Sequence, residues 1–220
     1  MFDERVDGVE FYEDSFQIDD SSAFSTPSFL IAKRCFDIVT SILLLPVLGL
    51  LCLAFTALNP LLNRGPLFFA QERMGRNCKP FTAMKFRTMA PAKQIARSAE
   101  QPLEIDRITR LGRIMRKTRM DELPQILDVL RGDMSLIGPR PDYYEHACHF
   151  LKSVPGYRAR HLVRPGISGL AQTEVGYVEG SEGTKRKVRA DLYYIANCGL
   201  RLELWVVWRT ISVIFGRAGS

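Results

Sequence analysis

The sequence predicts a mainly α fold with a few short β-strands, an α+β chain that carries a re-entrant membrane helical hairpin and amphipathic interfacial helices. Three observations predict it. Residues 38–58 are 21 consecutive uncharged residues, mostly Leu, Val, Ile and Ala, enough for a helix through a bilayer core about 30 Å thick. Residues 105–119 alternate apolar and basic side chains at helical spacing. The stretches 67–70, 81–89 and 134–137 are short, apolar and bounded by Gly, Pro or Asn, as strands are.

The chain begins with a charge division. Its 220 residues are 46% hydrophobic and 25% charged, enough for one cored domain with attachments. The net charge of +6 hides eight acids and one base in residues 1–30, which leaves 16 acids and 29 bases for the rest, a body of +13 behind a tail of −7. Residues 1–30, Ser-rich and without a sustained apolar period, are expected to be an acidic mobile tail. A basic body calls for an anionic partner: nucleic acid, phospholipid headgroups or a phosphorylated substrate. Five cysteines, an odd number without a C-x-x-C pair, read as reduced thiols facing a cytosolic compartment. His146, Cys148 and His149 have no matching second ligand pair and do not make a zinc site.

Residues 31–60 form the membrane segment. Pro46 stands inside it, where it removes a backbone donor and bends a helix. Lys33 and Arg34 precede the run, while Arg64, Arg73, Arg76, Lys79, Lys85 and Arg87 follow it. Basic residues on both sides place both ends on the cytoplasmic side and favour a re-entrant hairpin over a kinked span. A kinked span stays open, because membrane helices tolerate proline. Residues 61–220 then make a domain expected on the cytoplasmic surface of the membrane. Its segment 105–119 sets Ile105, Ile108, Leu111, Ile114 and Met115 against Arg107, Arg110, Arg113, Arg116 and Lys117, a basic amphipathic helix suited to headgroups.

The block 116–141, RKTRMDELPQILDVLRGDMSLIGPRP, is the densest in chemistry. Pro124 belongs in the first turn of a helix, which therefore starts near Asp121. Leu123, Ile126, Leu127 and Leu130 share one apolar face, and Gly132 is placed to stop the helix. A helix N-terminus would hold Asp121 and Glu122 ionised and could bind a phosphate beside them. Neighbouring side chains on a helix point apart, so two carboxylates there suit two tasks: attack and metal binding. A simple cap is the plainer role for an aspartate at a helix start. The setting argues for more, since Arg113, Arg116, Lys117 and Arg119 precede it and prolines on both sides fix the backbone of Arg140, either as an ordinary surface turn or ready for bidentate binding of phosphate. Near the C-terminus, residues 200–215 carry Trp205 and Trp208 three apart, suited either to a membrane interface or to core packing. No G-x-G-x-x-G, P-loop or internal repeat is present.

With these residues identified, the chain resembles the bacterial sugar transferases that prime glycan assembly, the monotopic polyprenyl-phosphate phosphoglycosyl transferases. The resemblance is carried by KRCFD at 33–37, the proline-interrupted apolar run, QERMGRNCKPF at 71–81, KFRTM at 85–89, the block 111–141 and RPGISGLAQ at 164–172. It implies transfer of a sugar phosphate from a nucleotide diphosphate sugar, a UDP-sugar, to polyprenol phosphate at the cytoplasmic face of the bacterial inner membrane. It implies Asp121 as covalent nucleophile, Glu122 as a ligand of Mg²⁺, Arg116 and Arg140 on phosphate oxygens, and Lys85 and Arg87 as further phosphate ligands. It also implies a re-entrant helix. One departure stands out: many members have Ser-Pro at the break, and here Leu45 precedes Pro46. The rival is a membrane-anchored lipid-binding scaffold without chemistry, which would make Asp121 replaceable. A nucleic-acid binder is disfavoured by the apolar segment and the lack of a binding motif. The 90–106 loop and residues 172–182 are candidates for choosing the sugar.

Overall fold

A computed structural model describes residues 5–6, 9–10, 26–91, 104–176 and 180–216. Most of the acidic start and most of the 90–106 loop lie outside the described residues, as do 177–179 of the second candidate sugar segment. Among the described residues the chain is mostly helical with three two-stranded pairings, the expected class. Strands β1 (Arg5–Val6) and β2 (Val9–Glu10) pair antiparallel in the acidic start.

Helix α1, Pro27–Leu62, is one continuous helix of 36 residues that runs through Pro46 and Pro60. Pro27 opens it at the position where a missing N–H does no harm, so the helix begins inside the segment expected to be tail. At 1.5 Å per residue it is about 54 Å long. Its lipid-type residues stay open: Leu43, Leu50 and Leu53 are about 70% exposed. Asp37, Ser41, Leu48 and Phe55 are buried, spaced at 4, 7 and 7 residues along one face. The KRCFD block fastens the first end. Lys33 Nζ donates to Ile137 O at 3.0 Å and Glu203 Oε2 at 2.7 Å, and Arg34 Nη1 donates to Val129 O at 2.8 Å. Asp37 Oδ1 accepts from Leu136 N at 3.1 Å. The far end is fastened too, by Asn63, whose Nδ2 donates to Arg87 O and whose Oδ1 accepts from Thr109 Oγ1. Both ends of α1 therefore bond to the same domain.

That domain has two apolar centres. The first lies between α1, strand β4 (Pro80–Phe86), helix α2 (Arg110–Thr118) and helix α3 (Ile126–Arg131), where Phe86, Met115 and Ile126 are buried. Phe55 meets Phe86 edge to face at 5.0 Å. Burying each such side chain is worth roughly 1.5–3 kcal/mol. The second centre gathers helices α4 (Tyr144–Ser153), α6 (Gly180–Ala196) and α7 (Leu200–Gly216) around Tyr157, Val188, Ile195 and Val206. On α7, Trp208 is 59% exposed and Trp205 packs against the core, so the helix has both an exposed and a core face. Strand β3 (Phe68–Met74) pairs antiparallel with β4. Strand β5 (Ser135–Ile137) pairs parallel with β6 (Gly166–Ser168), a strand with no apolar run to announce it. Helix α5 (Leu170–Glu174) follows.

Two expectations are corrected. The basic segment is not one helix from 105 to 119: a single 3-10 turn spans Ile105–Arg107, and α2 begins at Arg110 because Thr109 caps it, its Oγ1 accepting from Gly112 N at 3.0 Å. The helix at the carboxylates begins as a 3-10 helix, Met120–Gln125, before α3. Three residues per turn instead of 3.6 shift the inward face. Gln125, Ile126, Asp128 and Val129 are buried, while Leu123, Leu127 and Leu130 are half-buried. Gly132 ends α3 in the left-handed region, φ 94°, as expected.

Candidate active site

The site is made where the two centres meet. Arg119 takes a left-handed conformation, φ 59°, and turns the chain from α2 into the 3-10 segment that carries Asp121 and Glu122. That segment packs on β4, and Asp128 Oδ2 accepts from Met84 N at 3.0 Å to fix the two together. Lys85 projects from β4 beside it. From the other side comes the Gly138–Pro141 loop. Gly138 N donates to Ser168 O and Gly166 N to Pro139 O, both at 2.9 Å. A Cβ on Gly166 would fall 2.1 Å from Gly138 N, so only glycine allows this approach.

Glu122 and Arg140 form a fork: Arg140 Nη1 donates to Glu122 Oε2 at 3.0 Å and Nη2 to Oε1. Arg119 Nη1 stands 3.9 Å from Glu122 Oε1. Burial alone would raise the Glu122 pKa, but the Arg140 charge and hydrogen bonds outweigh it and hold the carboxyl at about 2. Asp121 differs. It is 7% exposed, and its Oδ1 is buried without a hydrogen-bond partner. Burial, then the Glu122 charge, push its pKa up to about 6, against the pull of Lys85, Arg116 and Arg140. The expected ionising influence of a helix start is thus outweighed at Asp121 by desolvation. Lys85 is lowered to about 7 by burial and by the Arg73 and Arg140 charges.

Asp121, Glu122, Arg140, Lys85 and Arg116 are therefore brought together, with Arg116 Nε donating to Thr88 Oγ1 at 2.9 Å. Glu122 and Arg140, expected to serve a metal and a phosphate separately, are bonded to each other. Arg87 is a correction: its guanidinium donates to the carbonyls of Pro66, Met89 and Asn63 and ties the end of α1 to β4, with neither site carboxylate among its partners.

Sequence reasoning missed Arg73, Asp142, Arg160 and Asp191. Arg73 leans on Lys85 electrostatically and donates to Pro141 O. Arg160, 3% exposed, donates to Arg140 O at 2.8 Å and lies 2.8 Å from Asp191 Oδ2, with Asp142 as a third partner. It holds the proline turn from beneath. Their sequence neighbours are mixed, and no local pattern distinguishes a buried arginine from a surface one.

The donor set fits one Mg²⁺. Among the described residues no group of three or more His, Cys, Asp or Glu side chains gathers as a metal cage, but Mg²⁺ ordinarily takes one or two carboxylates and fills its shell with water and substrate phosphate. Asp121 Oδ1 is a buried acceptor without a partner beside a second carboxylate.

The bacterial sugar transferase family model matches residues 28–217. The chain is 40% identical over 200 residues to a UDP-N-acetylgalactosamine-undecaprenyl-phosphate N-acetylgalactosaminephosphotransferase of Aeromonas hydrophila, covering 90% of this chain and 47% of that protein. It is 40% identical over 181 residues to a UDP-glucose:undecaprenyl-phosphate glucose-1-phosphate transferase of Caulobacter vibrioides, covering 81% and 68%. It is 36% identical over 195 residues to the exopolysaccharide production protein PSS of Rhizobium leguminosarum bv. phaseoli, covering 83% and 94%. This chain thus spans about half of the first relative and nearly all of the third. A match across nearly the whole described domain, with relatives of this identity, settles the family: the chain belongs to the bacterial sugar transferases.

Proposed function

We propose that this protein is a phosphoglycosyl transferase that moves a sugar-1-phosphate from a UDP-sugar to undecaprenyl phosphate, the first membrane step of a polysaccharide. The names of the Aeromonas and Caulobacter relatives share a UDP-sugar and undecaprenyl phosphate and differ in the sugar. The observation that carries the reading is Asp121, a buried carboxylate with one oxygen unpartnered, among Lys85, Arg116 and Arg140.

In the first step an Asp121 oxygen attacks the phosphorus that bears the sugar. The bond from that phosphorus to the bridging oxygen breaks, and UMP leaves with the electron pair. An aspartyl phosphosugar ester remains. In the second step an oxygen of undecaprenyl phosphate attacks the same phosphorus and Asp121 leaves as a carboxylate. Two displacements let a soluble donor depart before the lipid enters. Lys85, Arg116 and Arg140 offset charge on the phosphoryl oxygens, the main assistance such a transfer can receive. Glu122 keeps Arg140 oriented through the fork. Mg²⁺, held by Glu122 and Asp121 with the donor's phosphates, would supply further positive charge there.

We further infer that α1 is re-entrant or lies in the membrane with both ends on the cytoplasmic face. What supports this is that residues at both ends of α1 bond to one domain, with most of the apolar surface left for lipid. The scaffold alternative has no use for a buried aspartate with one oxygen left without a hydrogen-bond partner.

The test is to incubate purified protein with a UDP-sugar and Mg²⁺ without lipid, and to seek a phosphosugar on the peptide containing Asp121. UMP release with the adduct is expected; full turnover by Asp121→Asn would overturn the mechanism. For α1, cysteines at residues 31 and 60 should label from one face of the membrane.

A further inference from the structure

A cavity of about 220 Å³ opens beside the carboxylates, between α1, the 3-10 turn, β6, α5 and α7. Half of its lining residues are aliphatic, and they come from four directions: Leu44 of α1, Ile126 of α3, Ile167 of β6 and Val213 of α7 among them. Its hydroxyls turn their polarity on themselves. Ser168 Oγ and Thr210 Oγ1 bond to each other at 2.6 Å, and Thr173 Oγ1 donates to Leu170 O at 3.0 Å. The wall they leave is apolar. Only one end is charged, where Arg119 and Glu122 line it.

That polarity matches an amphiphile with a single anionic end. The left-handed backbone at Arg119 takes its side chain off the basic face of α2 and onto this cavity, 40% exposed and 3.9 Å from Glu122 Oε1. The opposite end reaches the membrane helix: Leu43, next to Leu44, is 70% exposed and Val47 is 45% exposed. A nucleotide sugar has no apolar part to fill such a wall, and the acceptor has.

We propose that this cavity is the acceptor subsite: it holds the first isoprene units of polyprenol phosphate, and Arg119 receives the phosphate on its way to the phosphorus on Asp121. The proposal rests on the phosphoglycosyl transferase reading above. One feature favours a different occupant, since Gln172 Oε1 is buried at the lining without a partner and a sugar hydroxyl could answer it. The donor is therefore an arm of the test.

The two half-reactions separate the outcomes. Val213→Trp, which fills the cavity, should form the phosphosugar adduct and release UMP within twofold of wild type, while transfer from the adduct to undecaprenyl phosphate slows at least tenfold. Arg119→Gln should raise the KM for undecaprenyl phosphate at least fivefold. A photoactivatable polyprenyl phosphate should label residues 167–173 and 205–213 of the full-length wild type, with undecaprenyl phosphate competing and phosphatidylglycerol not. Wild-type transfer rates in the Val213→Trp adduct would overturn the subsite, as would competition by phosphatidylglycerol or labelling of the same peptides by a photoactive UDP-sugar. Where the Trp variant fails to fold, the photolabel decides. Failure of wild type to form any adduct overturns the transferase mechanism itself.

Discussion

Asp121→Asn should make the free protein more stable while abolishing adduct formation. Asparagine keeps the shape and stands in for the protonated carboxyl, so the change removes the charge and little else. Burial and the Glu122 charge raise the Asp121 pKa from 3.8 to about 6. At 1.36 kcal/mol per unit, the ionised group opposes folding by about 3 kcal/mol at neutral pH. The folded value lies above the unfolded one, so this opposition is complete above about pH 6, fades as pH falls toward 3.8 and vanishes below. For a chain of this size, 1 kcal/mol moves Tm by roughly 2–4 °C, which makes the expected gain roughly 6–12 °C. The assay is thermal unfolding in detergent micelles, followed by the fluorescence of Trp205 and Trp208, at about pH 7.5 and about pH 4. The gain should be present at the higher pH and nearly gone at the lower. An unchanged or lower Tm at pH 7.5, or an equal gain at both, would refute the reasoning that the site holds its carboxylate against its own stability.

The same groups set the pH dependence of adduct formation: the rate should rise as Asp121 ionises through about pH 6 and fall as Lys85 loses its proton through about pH 7, and Lys85→Arg should remove the alkaline limb. A flat profile in both enzymes would count against the pairing. Arg140→Met should destabilise by about 3–5 kcal/mol, because it strands the buried Glu122, whereas Arg140→Met with Glu122→Gln should regain most of that loss in denaturant unfolding. Gly112→Ala should cost about 3 kcal/mol or more in the same measurement, since its Cβ would lie 2.0 Å from the backbone oxygen of Thr88, which cannot swing aside. Gly49→Ala, with nothing within 4 Å, is the control and should not destabilise.

Much of this protein is written locally. The apolar run, the strand-like stretches, the stop at Gly132 and the aspartate-glutamate pair between basic residues and a proline-clamped arginine were legible because each depends on neighbours in the chain: length of an apolar window, backbone freedom of glycine, the fixed φ of proline. The failures have a common cause. The 3-10 phase of residues 120–125, the parallel partner β6 and the committed guanidinium of Arg87 are answers to contacts from elsewhere, and no local pattern encodes them.

The sequence by itself determined the class of fold, the long apolar helix and the candidate site residues. Tertiary structure decided what those residues are. Asp121 is a poor carboxylate to ionise because packing takes water from it, and Glu122 a strong one because an arginine 18 residues on is folded against it. Lys33 and Arg34, which read as flanks of a membrane segment, join that segment to the site's own scaffold, as does Asp37 beside them. Charge counts along a chain are fixed by composition, but the energy of a charge is fixed by what surrounds it, and only the folded chain supplies the surroundings.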